Sequence, residues 1–173
     1  EQKGAEFPRR HLQFVPETLT NPLLIASSKR KQDATSCRSR LLQVWKRFRE
    51  ADAHQQQHEF ERTYGRTFAG TTVGIVGLGS IGQELANKAS RLDMRVVAST
   101  RRPRASAPNV DQLFKAEDLH DLLEIADFVA VAVPLTAQTR DLIGEPELRA
   151  MKPTAHLIDV SGREAIYNMD ALI

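Results

Sequence analysis

Hydrophobic and polar positions along this chain follow two regimes, and the change falls near Gly65–Gly70. Residues 1–37 show no periodicity. Pro8, Pro16 and Pro22 interrupt them, and a single apolar patch, Leu23–Ala26, runs into Ser27-Ser28-Lys29-Arg30-Lys31. Such a stretch reads as irregular or disordered. Between residues 39 and 60 a helical stripe takes over. Leu41, Trp45 and Phe48 recur at i, i+4 and i+7, widened by Leu42 and Val44, while Lys46, Arg47, Arg49 and Glu50 fall mostly off it. Trp45 on that face is read as a packing residue.

Beyond Gly70 short apolar runs alternate with helical stripes. Thr72–Val76 is a strand candidate, and Ile81–Leu92 a helix with Ile81, Leu85, Ala89 and Leu92 on one face. Arg95–Ser99 is a second strand and Val110–Phe114 a weaker third. Ala116–Ala126 is helical, with Leu119, Leu122, Leu123 and Ala126 apolar. Asp127–Pro134 contains an unbroken apolar run, as strands buried on both faces do. Pro146–Met151 is a short helix, Ala155–Val160 another strand, and Asn168–Ile173 the start of a further helix. This alternation predicts an α/β domain with a doubly wound parallel sheet, preceded by a helical and irregular extension.

Composition changes that picture little. Of 173 residues 41% are hydrophobic and 27% charged, an ordinary globular mix, and the net charge is +2. The charge is unevenly spread: residues 1–66 hold 13 Lys/Arg against 8 Asp/Glu, and residues 67–173 hold 11 against 14. Lys29–Arg30–Lys31 is read as a solvated charge run, with nucleic-acid contact the alternative. The expectation is no nucleic-acid partner. No apolar run approaches the roughly 20 residues of a membrane span, so no membrane partner is expected either. The one cysteine, Cys37, leaves no internal disulfide framework and no cysteine-based zinc site. With no apolar leader in view, a reducing, cytoplasmic setting is expected.

The chemistry is concentrated after the first strand, in Gly77-Leu78-Gly79-Ser80-Ile81-Gly82. Glycines at this spacing, between a strand and a helix, suit a dinucleotide. Gly77 permits a tight turn, Gly79 lets backbone approach a pyrophosphate, and Gly82 lets helix and strand pack closely. The ligand's charge would then meet the free N–H groups of the helix start, at Ser80, Ile81 and Gly82. Three turn glycines without a ligand are the alternative. The second strand ends Ser99-Thr100-Arg101-Arg102, where an NAD binder commonly carries an acid for the ribose hydroxyls. Thr100, Arg101 and Arg102 instead suit a 2′-phosphate, which a guanidinium grips bidentately. The cofactor is therefore NAD or NADP, with NADP favoured, unless these arginines belong to a solvated loop. The domains expected are an irregular segment over 1–37, a linker helix over 38–66 and a dinucleotide-binding domain over 67–173.

Three ordered runs resemble the cofactor domain of the D-isomer-specific 2-hydroxyacid dehydrogenases: Thr72–Gly82, Ala126–Ile143 and Glu147–Ser161, within a likeness over roughly 62–173. The resemblance implies a Rossmann-like fold and hydride transfer between a nicotinamide cofactor and a small 2-oxo or 2-hydroxy acid. It assigns the cofactor-side loop to Pro134, Thr136 and Thr139, and the strand end near the nicotinamide to Val160 and Ser161. It also implies an arginine that binds the substrate carboxylate, a histidine–glutamate pair that delivers the proton, and pairing of cofactor domains, hence a homodimer.

The family reads Arg-Gly after its last matching strand, whereas this chain reads Gly162-Arg163. Arg163 is thus the candidate catalytic residue, one position late. The family's histidine and glutamate follow the region matching Ile173. None of His11, His54, His58, His120 and His156 falls on that motif; His156 reads as a core residue and His120 as an exposed one. The chain is therefore read as C-terminally truncated, with little activity of its own expected. The alternative is a catalytically inactive dinucleotide-binding remnant or regulatory protein.

Overall fold

The computed structural model describes residues 48–60, 67–102 and 105–171. The stripe through Leu41 and Trp45, the segment 1–37, Pro103–Arg104 and the last two residues lie outside them. The order is α1 (Phe48–Gln56), β1 (Thr72–Val76), α2 (Ser80–Ser90), β2 (Arg95–Thr100), β3 (Gln112–Lys115), α3 (Leu119–Ile125), β4 (Phe128–Val131), α4 (Glu145–Ala150) and β5 (His156–Asp159). Every pairing is parallel, in the order β3-β2-β1-β4-β5. The chain enters at the middle, winds outward through β2 and β3, then crosses back to build β4 and β5. The carboxyl ends of β1 and β4 therefore diverge into loops on opposite sides of one crevice, the switch point where ligands bind doubly wound sheets.

The apolar runs form strands because both faces are covered. Alternate residues of β1 and β4 enter two separate layers. Val73, Ile75, Phe128 and Ala130 pack with Leu85, Ala86 and Ala89 of α2, while Val76, Val129 and Val131 pack with Leu119, Leu122 and Leu123 of α3. The α3 layer sits so close that a Cβ on Gly74 would lie 2.6 Å from Leu122 Cδ2. Phe128 is fully buried between the rings of Phe68 and His156, at centroid separations of 5.9 and 5.5 Å. His156 is thus the core residue its strand position predicts, and His120 is exposed.

Acidic side chains close the amino edge of the sheet. Asp127 Oδ2 accepts the Thr72 N–H at 2.8 Å while its Oδ1 meets Lys152 Nζ at 2.9 Å. Asp111 Oδ2 accepts the Val96 N–H at 2.7 Å. These bonds satisfy strand-start donors that no neighbouring strand reaches, and leave the carboxyl edge for the site.

Several element ends differ from the sequence reading. The apolar strand expected within Asp127–Pro134 forms over Phe128–Val131, and the flanking N–H groups of Asp127 and Ala132 still reach Thr72 O and Val76 O, at 2.9 and 2.8 Å. The third strand runs over Gln112–Lys115, and Ala116–Asp118 form a tight 3₁₀ turn before α3. Of the helix expected to start at Asn168, the described residues form a 3₁₀ turn over Met169–Ala171, where Asn168 Oδ1 accepts the Asp170 N–H. Among the described residues no helix is long and apolar enough to cross a membrane.

Candidate functional site

Four strand ends meet at the carboxyl edge, and the backbone binds them together. Gly77 N–H donates to Ser99 O at 3.2 Å, Ala132 N–H to Val76 O at 2.8 Å, and Val160 N–H to Val131 O at 3.1 Å. The turns after β1, β2, β4 and β5 are thus held side by side, and they carry all the residues singled out from the sequence.

The glycine turn divides its labour much as its spacing predicts. Gly77 leaves β1 at φ +96°, a conformation that side chains rarely adopt, with Val133 Cγ1 2.6 Å from where a Cβ would stand. A Cβ on Gly82 would run into the Gly77 carbonyl oxygen and approach Ile75 Cγ2 at 3.2 Å, so this glycine is what lets α2 lie against β1. Gly79 is different. A Cβ there would meet nothing within 4 Å, and its φ of −83° suits any residue. No packing among the described residues calls for a glycine at this position. Gly79 caps α2 with no side-chain hydrogen bond, and the first turn carries no acidic residue. Ser80 is exposed, and Ile81 packs its side chain against the core. The helix start therefore offers N–H donors and a positive dipole end to an anion. These features fit the pyrophosphate of a dinucleotide.

At the end of β2, Thr100 Oγ1 accepts the Arg102 N–H at 3.3 Å and closes a small turn on which Arg101 and Arg102 are both exposed. Neither arginine has a hydrogen bond or ion pair from its guanidinium to another described residue. Across the crevice, Thr139 organises the loop after β4. Its hydroxyl donates to Pro134 O at 2.6 Å and accepts the Thr136 N–H at 2.8 Å, with the Thr136 hydroxyl 3.1 Å away. Pro134, Thr136 and Thr139 thus form one closed loop, in which the threonine hydroxyls shape backbone.

The turn after β5 holds the candidate arginine. Val160 is buried and Ser161 half-buried. Gly162 takes φ +63°, a left-handed position that favours glycine, and Arg163 follows at φ −125°, exposed. The glycine therefore occupies the one site of this turn where an arginine would be strained, and the guanidinium leaves from the next residue. The residue that builds this turn, Asp159, is one that the motif reading passed over. Its carboxylate, 3% exposed, accepts Ser161 N–H at 2.8 Å, Ser161 Oγ–H at 2.6 Å and Gly162 N–H at 3.2 Å. The signal was present in the sequence as Asp-x-Ser-Gly, a pattern in which aspartate captures backbone N–H groups two and three residues on.

Tyr167, also passed over, is buried, with its hydroxyl beside the Asp159 carboxylate and Ser161. Burial first, and then the negative charge of nearby Asp159, hold that phenol far above its ordinary pKa, so it stays protonated. His120 Nε2 meets Glu147 Oε1 at 3.0 Å and joins α3 to α4. Burial pushes the Glu147 carboxyl up, but hydrogen bonds from His120 and the Gly144 N–H, with the charge of His120, outweigh it and leave the pKa lowered.

Comparison with known proteins agrees with this geometry. The profile of the D-isomer specific 2-hydroxyacid dehydrogenase, NAD binding domain, matches residues 39–173. A glyoxylate reductase of Thermococcus gammatolerans is 38% identical over 144 residues, covering 77% of this chain and 42% of that protein. A glyoxylate/hydroxypyruvate reductase B of Pectobacterium atrosepticum is 42% identical over 104 residues, covering 58% and 31%. Among solved structures, a glycerate dehydrogenase related protein from Thermoplasma acidophilum superposes with a TM-score of 0.74 at 28% identity, covering 80% of this chain and 48% of that one. The chain spans about two fifths of the length of such curated relatives. It belongs to the D-isomer-specific 2-hydroxyacid dehydrogenase family, of which it carries the NAD-binding domain.

Proposed function

We propose that this chain is the cofactor-binding part of an NAD(P)-dependent oxidoreductase that interconverts a small 2-oxo acid and its D-2-hydroxy acid. The observation that carries the reading is Gly79: a glycine with open space over it, at an uncapped helix start, on the switch point of the sheet. The nicotinamide cofactor supplies or takes up the hydride. The N–H groups of Gly79, Ser80, Ile81 and Gly82 hold its pyrophosphate, and Gly77 shapes the turn that presents them. The loop Pro134–Thr139 and the strand end Val160–Ser161 line the opposite wall. Arg163 binds the carboxylate of the acid and polarises its carbonyl oxygen. His120 and His156 are occupied elsewhere, by Glu147 and by the core, and take no part in proton transfer.

The preferred cofactor is NADP, gripped at its 2′-phosphate by Arg101 and Arg102 on the Thr100 turn. Support for this comes from the exposed guanidinia and from the absence of an acid at the end of β2. Isothermal titration of the purified chain with NADPH and NADH tests both claims. Tighter binding of NADPH, reduced to the NADH level in Arg101→Ala/Arg102→Ala, is expected. Equal affinities that the double variant leaves unmoved would refute the NADP preference, and binding of neither would refute the cofactor site. Cofactor binding without reduction of glyoxylate or hydroxypyruvate, in a protein extended to its relatives' length, would favour the inactive binding role instead. A homodimer is the expected assembly, tested by light scattering.

A further inference from the structure

The turn that carries Arg163 leaves the sheet after Val160, whose N–H donates to Val131 O at 3.1 Å. Residues 160–163 extend beyond the paired part of β5, and Arg163 itself is exposed. Beyond Val160, a buried carboxylate gathers the backbone N–H groups of the turn. Asp159 Oδ1 takes the Ser161 N–H at 2.8 Å and the Ser161 hydroxyl at 2.6 Å, and Oδ2 takes the Gly162 N–H at 3.2 Å. The Ser161 hydroxyl passes the restraint on, because its oxygen accepts the Arg163 N–H at 3.2 Å. Every backbone N–H from Ser161 to Arg163 is therefore tied to Asp159, directly or through one hydroxyl. Successive N–H groups converging on an anion, with a left-handed residue among them, make a nest; here the anion is supplied from inside the chain. The left-handed residue is Gly162 at φ +63°. Across from the turn, Ile143 N–H donates to Ile166 O at 3.1 Å and Asn168 N–H donates to Ile143 O at 2.9 Å, so the segment after Arg163 is held as well.

We propose that Asp159 is a positioning residue for substrate: its carboxylate, relayed through Ser161, sets where the Arg163 guanidinium stands, and thereby governs affinity for the carboxylate of a 2-oxo acid. The inference rests on the reading of Arg163 given above. It explains how an arginine displaced by one residue is still held in a defined place, since the nest consumes the Gly162 position and fixes the backbone of the next. A charged acceptor also makes short, strong hydrogen bonds, which suits a turn that has few other restraints.

The test is the affinity of oxalate, a dicarboxylate probe, for the 173-residue chain loaded with NADP⁺, measured by isothermal titration. Arg163→Ala should abolish or greatly weaken binding. Asp159→Ala should weaken it about tenfold, a loss of the size produced when a binding group is misplaced by a fraction of an ångström. Asp159→Asn keeps an acceptor at Oδ1 and should recover most of the affinity. Ser161→Ala, which removes the hydroxyl that links Asp159 Oδ1 to the Arg163 N–H and keeps the Ser161 and Gly162 N–H bonds to Asp159, should weaken oxalate about threefold. In Arg163→Ala, adding Asp159→Ala should cost nothing further, since the effect acts through the guanidinium. Equal losses from Asp159→Ala with and without Arg163 would overturn the positioning role and leave a structural one. Full affinity in both Asp159→Ala and Ser161→Ala would overturn it outright. No oxalate binding by the unsubstituted chain, or binding that Arg163→Ala leaves intact, would refute the Arg163 reading and the inference with it.

Discussion

Two alanine substitutions, three residues apart, separate a glycine that packing demands from one that, under the proposed function, a ligand demands. At Gly82 a Cβ would collide with the Gly77 carbonyl oxygen, and behind it lie Gly77 C and Ile75 Cγ2, both at 3.2 Å. The obstacle is mostly backbone, so it cannot swing aside, and α2 must move by roughly 1 Å to clear it. Overpacking of this kind costs about 1–3 kcal/mol, and a backbone obstacle puts Gly82→Ala near the top, about 3 kcal/mol. For a sheet domain of this size that lowers Tm by roughly 10 °C or more.

At Gly79 a Cβ meets nothing within 4 Å and φ is −83°. Alanine there removes unfolded-state freedom, a gain of about 0.4–1 kcal/mol, and is a poorer helix cap by a similar amount. Gly79→Ala should therefore change stability by less than about 1 kcal/mol. Its effect falls on the ligand instead. A methyl where a phosphate approaches backbone removes a charge-assisted hydrogen bond of about 1.5–3 kcal/mol, or about tenfold to a hundredfold in Kd. Thermal melts of both variants, with and without NADPH, make the comparison. Gly82→Ala should melt early in the free state. Gly79→Ala should melt with the unsubstituted chain in the free state but lose the shift that NADPH produces. A Gly79→Ala chain that NADPH still stabilises fully would refute the claim that the open space over this glycine is the phosphate site.

Other outcomes follow from the same geometry. Asp127→Ala removes the acceptor of the Thr72 N–H and the partner of Lys152, and should cost about 1–2 kcal/mol in urea unfolding, with Asp127→Asn costing less. Phe128→Ala empties the space between Phe68 and His156 and should cost about 3–5 kcal/mol. Glu147 has a lowered pKa, so its folded form binds a proton less readily than its unfolded form. The stabilisation it gives is present above the ordinary glutamate value of about 4.3 and is lost as pH falls through the lower folded value. Glu147→Gln should therefore flatten the acid limb of the stability curve below about pH 4.3, measured by chemical denaturation from pH 3 to 7.

Much of this molecule is legible in its sequence, and the reason is local. Phe128–Val131 and Thr72–Val76 are apolar on both faces, a pattern that only a strand covered on both sides sustains, so a doubly wound parallel sheet follows from the order of the runs. Gly77-x-Gly79-x-x-Gly82 announces the turn and helix start because each glycine answers a backbone requirement tied to its spacing. The tertiary structure decided what spacing does not encode. It gave the motif's glycines their surroundings, with Gly82 closed in by β1 and open space over Gly79. It showed Thr139 turned inward on its own loop. It drew Asp127 and Asp111 to the amino edge, where strand-start donors wanted acceptors. It also made Asp159 the centre of the arginine-bearing turn, with Gly162 at the left-handed position that displaces Arg163 by one. Composition and periodicity report which residues are buried and in what rhythm; which carboxylate meets which N–H depends on where loops from distant parts of the chain come together, and only the folded sheet settles that.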